Sequence, residues 1–183
     1  METVTRKLEG NVKVTIIRGF ARAYGVGIDA QSRIYVPDML AHNVVVFDSS
    51  LELQGAYDIK NDSLQPISIA GQRIERSLPS NGIVAPHSVS FDSDDIMYLT
   101  EYEGNRITKI APDGKVLKRI GVGELVNPVV SYVERDGYLY IGSYGSDQAM
   151  RYTLEGKLEG WLGATQDNQS HTKWRHRGKP AKG

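Results

Sequence analysis

The sequence contains no cysteine among its 183 residues. This absence excludes disulfide bonds, thiolate zinc sites and thiol nucleophiles, but it leaves the cellular compartment undecided. The chain also lacks net charge, because 22 Lys and Arg residues balance 22 Asp and Glu residues. No overall electrostatic field therefore attracts nucleic acid, an anionic membrane or an acidic substrate, and a charge-driven partner needs a local patch.

Long apolar runs are absent as well. No segment approaches the roughly 20 apolar residues of a transmembrane helix, and the start "METVTRKLEGNVKV" lacks the apolar centre of a signal peptide. We therefore expect a cytoplasmic protein with no membrane partner. The length and the 40% apolar content predict one domain with a single hydrophobic core.

What the chain does contain is a repeat of three units. An offset of 42 residues aligns Tyr98 with Tyr140 and Pro86 with Pro128, and an offset of 63 aligns Tyr35 with Tyr98. Segments such as "IMYLT" and "RITKI" alternate as β-strands do, and turns rich in Asp and Gly separate them. Four antiparallel strands in about 40 residues form one blade of a β-propeller. A β-sandwich would explain the strands but not the register of the repeat.

The repeat divides the chain into parts. The sequence predicts an all-β protein with three four-stranded blades at residues 23–58, 86–121 and 128–163. Residues 59–85 form an insertion, either a functional loop or a plain surface excursion. Residues 1–22 are an N-terminal lead-in with one additional strand at 11–18. The basic tail at 164–183 is predicted to be mobile.

The units resemble NHL repeats. The resemblance rests on "PHSVSFD", "MYLTEYEGNRITKI" and "APDGK" in the second unit, "VGIDAQSRIYVPD" and "HNVVVFD" in the first, and "NPVVSYV", "YLYIGSY" and "LEGK" in the third. NHL propellers usually have six blades, so the resemblance implies a half or partial propeller. Because blades bury their faces against each other, three blades leave an apolar face uncovered at each end. We therefore expect a homodimer or larger self-assembly, or the remainder of a longer propeller as partner.

The NHL resemblance also places three positions of each blade on one rim of the central channel. The first rim set precedes the inner strand of each blade, and the second and third sets flank the second hairpin turn. The first set is Tyr24, His87 and Val129; the second is Asp38, Glu101 and Ser143; the third is His42, Asn105 and Asp147, with Arg22 just upstream of the first.

His87 has the sharpest functional interpretation of these residues. In the peptidylglycine α-amidating lyases, propeller enzymes with similar repeats, Pro-His histidines from several blades bind zinc. Only His87 matches that motif here, and a catalytic zinc site needs three protein ligands. His42, Glu101 or the His87 of a second copy would have to complete such a site. We favour the simpler interpretation, a histidine that opens a strand and hydrogen-bonds a neighbouring turn.

Acidic residues suggest two further interpretations. Asp38 and Glu101 could form an acid–base pair, and a resemblance to the gluconolactonase and senescence-marker propellers implies a divalent ion held by Glu101, Asn105 and Asp147. We favour a structural role, in which each acid accepts hydrogen bonds from backbone N–H groups of the following turn and Arg106 lies beside Glu101. The "DSDD" stretch at 92–95 lacks the glycine of an EF-hand loop and is predicted to be a turn.

The sequence therefore favours a non-catalytic binding or scaffold module that takes a protein or small-molecule ligand at the rim, without a cofactor. The alternative is a metal-dependent lyase or lactonase-type hydrolase with zinc or calcium at the channel mouth. RNA binding is a weaker alternative that the acidic balance of the blades disfavours, although Trp174 lies among the cations of the tail. The sequence contains no phosphate-binding glycine loop and no nucleotide-binding motif.

Overall fold

The computed structural model describes residues 2–7, 13–67, 82–134, 137–164 and 170–175, with side chains for 17–67, 82–134 and 137–162. Apart from one 3₁₀ turn, Tyr144–Ser146, the regular structure of these residues is entirely β-strand. None of the described segments forms a helix that is long and apolar enough to cross a membrane. The predicted all-β class is confirmed.

Three antiparallel sheets follow one another as blades, after an N-terminal hairpin. The hairpin is β1 (Glu2–Lys7) and β2 (Lys13–Arg18). Blade 1 is β3 (Gly27–Ile28), β4 (Ile34–Asp38), β5 (Asn43–Phe47), β6 (Leu53–Lys60) and β7 (Ser63–Ile67). Blade 2 is β8 (Pro86–Phe91), β9 (Met97–Glu101), β10 (Arg106–Ile110) and β11 (Val116–Ile120). Blade 3 is β12 (Pro128–Val133), β13 (Tyr138–Ser143), β14 (Gln148–Thr153), β15 (Leu158–Ala164) and β16 (Ser170–Arg175). The architecture is a partial β-propeller.

The segments outside the repeat contain strands beyond the one that the sequence predicted. The lead-in contains a two-stranded hairpin, in which β2 lies within the strand predicted at 11–18 and β1 precedes it. The insertion begins as regular structure, because β7 pairs with β6 and makes blade 1 five-stranded. The tail predicted to be mobile from residue 164 contributes β16, which pairs with β15 and extends blade 3. The other residues of the insertion and tail, 68–81, 165–169 and 176–183, lie outside the described part.

The strand β7 also connects blade 1 to blade 2. The turn before it bends through two left-handed residues, Asn61 (φ 51°) and Asp62 (φ 53°). The N–H of Leu64 then donates to the Gly114 carbonyl at 2.7 Å, and the N–H of Val116 donates to the Asp62 carbonyl at 2.7 Å. The edge of blade 1 is therefore hydrogen-bonded to the outer hairpin of blade 2.

The period-two alternation of the strands divides their side chains between two cores. In β9, Met97 and Leu99 face blade 1, while Tyr98 faces blade 3. The first joint, between blades 1 and 2, buries Tyr35, Val44, Val46, Ile59, Ile83, Val89, Met97, Leu99 and Ile110. The second joint, between blades 2 and 3, buries Tyr98, Ile107, Ile120, Leu125, Leu139, Ile141, Met150 and Tyr152. Each joint is a continuous apolar layer, as expected for stacked blades.

The outer face of blade 1 is covered, although the sequence predicted an uncovered apolar face at each end of the three blades. Val45, Phe47 and Ala56 on that face are buried, and the partly buried Ile17 and Phe20 pack against them. The Phe20 and Phe47 rings lie 6.2 Å apart between centroids. The lead-in thus shields the first blade.

Candidate functional site at the rim and inner groove

The second rim set bonds each blade to the segment just before its inner strand. For blade 1 that segment is the end of the N-terminal lead-in. Ala21 N–H donates to Asp38 Oδ2 at 2.8 Å, Val84 N–H to Glu101 Oε2 at 2.7 Å, and Val126 N–H to Ser143 Oγ at 3.1 Å. The three donors occupy equivalent positions of the repeat, as do the three acceptors. This set therefore performs one structural task three times, with three different residue types.

The Glu101 carboxylate is fully engaged. Its side chain is completely buried, and it accepts from Arg106 Nε at 3.0 Å, from Arg106 Nη2 at 2.9 Å and from the Thr108 hydroxyl. Arg106 also donates to the Gly82 carbonyl at 2.7 Å. The position of Arg106 agrees with the sequence-based expectation. The bond from Val84 does not, because that donor precedes blade 2 and lies outside the following turn.

The Asp38 carboxylate is similarly committed to the backbone. Besides Ala21, it accepts from Arg22 N–H at 2.7 Å and from Ala41 N–H at 3.4 Å. Only Ala41 belongs to the following turn that sequence reasoning singled out. The lead-in donors were missed because any residue can supply a backbone N–H, so the sequence has no signal for them.

The third rim set connects one blade to the next. Its three residues, His42, Asn105 and Asp147, all adopt the left-handed conformation, with φ of 52°, 51° and 52°. His42 Nδ1 accepts the N–H of Ala85 at 2.9 Å, and Asn105 Oδ1 accepts the N–H of Asn127 at 2.8 Å. Among the described residues, the Asp147 carboxylate has no such partner. Burial lowers the pKa of His42 against the opposing field of nearby carboxylates, so its ring is neutral and can accept at Nδ1 near pH 7.

The first rim set comes together at the mouth of the groove. The rings of Tyr24 and His87 stack at 4.1 Å between centroids, inclined by 21°. The Tyr102 ring also lies near His87, with 6.0 Å between the two ring centroids. Burial lowers the pKa of His87, while a hydrogen bond with the Val129 backbone works in the opposite direction. His87 therefore lies among aromatic and backbone groups.

The carboxylates and imidazoles proposed as metal ligands are not gathered by the fold. Among the residues that the structure describes, no group of three or more His, Asp or Glu side chains is arranged to hold a metal ion. Glu101 bonds to Arg106 and Thr108, and Asn105 bonds to Asn127. The "DSDD" stretch is a turn, in which Asp92 accepts from the N–H groups of Asp94 and Ile96.

An apolar groove runs along the inner strands of the three blades. It has a volume of about 390 Å³ and is lined by residues 25–28, 88–91 and 130–133. Its apolar side chains Val26, Ile28, Val130 and Tyr132 are between 50% and 61% exposed, which is unusual for residues of this size inside a sheet. These four exposed side chains give the groove its apolar character.

A chain of hydroxyl groups lies beside this groove. Ser88 donates to Thr100 at 2.9 Å, Thr100 to Ser131 at 2.9 Å, and the Ser90 and Ser131 hydroxyls are 3.2 Å apart. Sequence reasoning missed this cluster. Its signal was the presence of small hydroxyl residues within "PHSVSF" and "VVSYV", at strand positions where aliphatic side chains are usual.

Comparison with known proteins gives a likeness of fold. No family model and no curated protein matches the chain. Among solved structures, virginiamycin B lyase from Staphylococcus aureus has a TM-score of 0.61 at 14% identity over 91% of this chain and 50% of that one. Hydrazine synthase from Kuenenia stuttgartiensis has a TM-score of 0.57 at 11% identity, covering 87% and 40%, and a luciferin-regenerating enzyme has 0.52 at 16%, covering 73% and 41%. The chain spans half the length of the lyase, and at these identities the likeness supports the propeller fold alone.

Proposed function

We propose that this chain is a non-catalytic binding module whose inner groove takes a partner or ligand. One observation carries the proposal. The polar rim residues Asp38, Glu101 and His42 are occupied in holding backbone N–H groups, while the apolar side chains of the groove remain exposed. A surface of this kind is stabilised by contact with another apolar surface.

The chemistry of the groove defines the class of ligand. Val26, Ile28 and Val130 offer aliphatic contact, and the Tyr132 ring adds a flat aromatic surface. The half-buried Ser90 hydroxyl borders the same groove and can donate to or accept from a single polar group, whereas the Ser88 hydroxyl is bonded to Thr100 and Ser131. The groove thus suits a mostly apolar ligand with one hydrogen-bonding group, in keeping with ordinary small-molecule sites.

We also propose that the blades are of the NHL type. The Tyr35 hydroxyl donates to Asp29 Oδ2 at 3.0 Å, and the Tyr98 hydroxyl donates to Asp92 Oδ2 at 3.0 Å. These bonds join equivalent positions of two units, and the same two residues define the NHL-like pattern in the sequence. The repeated Asp–Tyr pair supports a common blade type.

The binding proposal is tested with anilinonaphthalene sulfonate, a dye that fluoresces on apolar surfaces. We expect saturable binding that Val130→Asp weakens by about tenfold, since a carboxylate in the groove must be desolvated by the dye. Leu117→Asp is the matched control, because Leu117 is similarly exposed on the outer strand β11. Equal dye binding by both variants and the wild type would contradict a groove site.

A lyase or hydrolase at the groove mouth is the second candidate. It is favoured by His87, whose lowered pKa leaves a neutral imidazole beside Tyr24 at neutral pH. The test is turnover of a panel of lactones and cyclic esters with and without zinc, manganese or calcium. Metal-dependent turnover that His87→Ala abolishes would replace the binding proposal with the enzymatic one.

A further inference from the structure

The two joints between blades are fastened by the same backbone device. In each, a left-handed residue of the second hairpin turn accepts the N–H of the residue that precedes the proline of the next blade. His42 serves Ala85, before Pro86, and Asn105 serves Asn127, before Pro128. The donor residues are also left-handed, with φ of 47° for Ala85 and 46° for Asn127. The device is therefore a property of the joint and not of one residue type.

Blade 3 has the acceptor half of a third joint. Asp147 lies at the position of His42 and Asn105, is exposed and has the same left-handed conformation. Tyr140, half-buried, occupies the position of Tyr35 and Tyr98, both of which are buried in joints with a following blade. By this equivalence, Tyr140 marks the far face of blade 3, the face that points away from blade 2.

Blade 1 has the segment that corresponds to the donor side of such a joint. Phe20 and Arg22 are equivalent to Ile83 and Ala85 of the second unit, and Ile83 is 1% exposed within the first joint. Arg22 is exposed, and its N–H bonds to Asp38, which also accepts from Ala21. The Arg22 N–H is therefore already bonded within its own blade, and the exposed Arg22 side chain is the group that a second copy can contact.

We propose that the far face of blade 3 docks the lead-in of blade 1 from a second copy of this chain, with Asp147 of one copy facing Arg22 of the other. This inference goes beyond the proposed binding function and does not depend on it. The opposite charges of Asp147 and Arg22 are complementary. Two copies joined head-to-tail at both ends form a closed ring of six blades, and three blades cover half of the lyase chain that the fold resembles. In that ring the inner groove becomes one side of the central channel.

The docking is tested by sedimentation velocity at about 1 to 100 µM, because dimer formation depends on concentration. We expect the wild type to sediment at twice the chain mass of 20.3 kDa. Asp147→Arg and Arg22→Asp should each weaken the dimer at least about tenfold, through juxtaposed like charges. The double variant with both reversals should return to within about threefold of the wild type.

Two further variants keep the test selective. Asp94→Arg makes the same charge change on an exposed turn of blade 2 and should leave the dimer unchanged. Asp147→Asn retains the acceptor that Asn105 uses and should weaken the dimer less than Asp147→Arg. Far-UV circular dichroism checks that every variant is folded.

Each contrary outcome has a definite meaning. A wild-type monomer at about 100 µM, a dimer indifferent to Asp147→Arg, or a double variant that is not restored would each overturn the docking proposal. A monomer that still binds the dye in the Val130-dependent manner would leave the proposed function intact. A dimer in which Val130→Asp has no effect on dye binding would instead remove the groove site and keep the docking.

Discussion

The two joints between the blades have the same geometry and different chemistry. In the first joint, an imidazole accepts the linking N–H and a carboxylate–guanidinium pair lies buried behind it, formed by Glu101 and Arg106. In the second joint, an amide and the Ser143 hydroxyl perform the equivalent tasks. The comparison teaches that the propeller requires an acceptor at a fixed backbone position, while its charge is free to vary. The first joint is consequently the one that pH and charge removal can affect.

Removal of the Glu101 carboxylate should give the largest difference in stability between the two joints. Glu101→Ala leaves the Arg106 guanidinium without its buried partner and the Val84 N–H without its acceptor. Breaking a buried ion pair costs about 3–5 kcal/mol. Ser143→Ala removes a neutral hydroxyl, which bonds to the N–H and carbonyl of Val126 and to Ser146, and should cost only about 1–2 kcal/mol. Urea unfolding of both variants measures the difference, and equal losses would contradict the assigned roles.

Truncation of an apolar side chain should cost a similar free energy of unfolding in both joints, whereas removal of the polar acceptors should not. Leu99 in the first joint and Leu139 in the second are both completely buried. Truncation of a buried leucine to alanine costs about 2–5 kcal/mol, through lost contacts and the remaining cavity. We expect Leu99→Ala and Leu139→Ala to agree within about 1 kcal/mol in urea unfolding. A much smaller loss for Leu139 would show that the second joint is loosely packed.

The sequence predicted the strands of the three repeat units better than the additional strands at the outer edges of the blades. Tyr35, Tyr98 and Tyr140 set the register of the blades, because their spacing survives in a repeat with few identical residues. Strand β7 escaped prediction, since "SLQPI" is short and is ordered by pairing with β6. Strand β16 escaped for a similar reason, because the basic tail shows no alternation of its own.

The repeat aligned the members of each rim set, but it did not predict their contacts. Their hydrogen bonds depend on backbone donors such as the N–H groups of Ala21 and Val84, which no side-chain pattern can reveal. The hydroxyl chain through Thr100 needed two blades to be brought together before it could be recognised.

The dependence of the stability on pH should also differ between the two joints, by a smaller amount. The pKa of His42 is lowered mainly by burial, while the charges of Glu103, Asp58 and Asp38 oppose the shift. A histidine whose pKa falls on folding contributes stability that is complete above its unfolded value, about 6.5. That contribution declines as the pH falls from about 6.5 to the lower folded pKa, because the unfolded chain takes up the proton first. The stability should therefore fall as the pH is lowered through this range and level off below the folded pKa.

A reciprocal exchange isolates this response. His42→Asn places in the first joint the residue that the second joint uses, so the dependence of the stability on pH between about 5 and 7 should become clearly weaker, with a remaining part from His87. Asn105→His should introduce the same dependence into the second joint. Urea midpoints measured across this range for the wild type and both variants provide the test. A wild-type slope that persists in His42→Asn would assign it to another group, with His87 as the first candidate.

The smallest effect is expected at the mouth of the groove, where the joint is aromatic. His87→Ala removes the stack on Tyr24 and the hydrogen bond with the Val129 backbone, but it leaves the Gly25 N–H bonded to the carbonyl of residue 87. We expect a loss of roughly 1 kcal/mol in urea unfolding, since a partly exposed stack and one hydrogen bond are removed while the backbone link between blades 1 and 2 survives. His87→Phe should recover part of that loss, because it restores a flat ring against Tyr24. The contrary result is a far larger loss in His87→Ala, together with added zinc that stabilises the wild type and leaves the variant unchanged. It would show that the imidazole holds a metal and that the first joint is built around it.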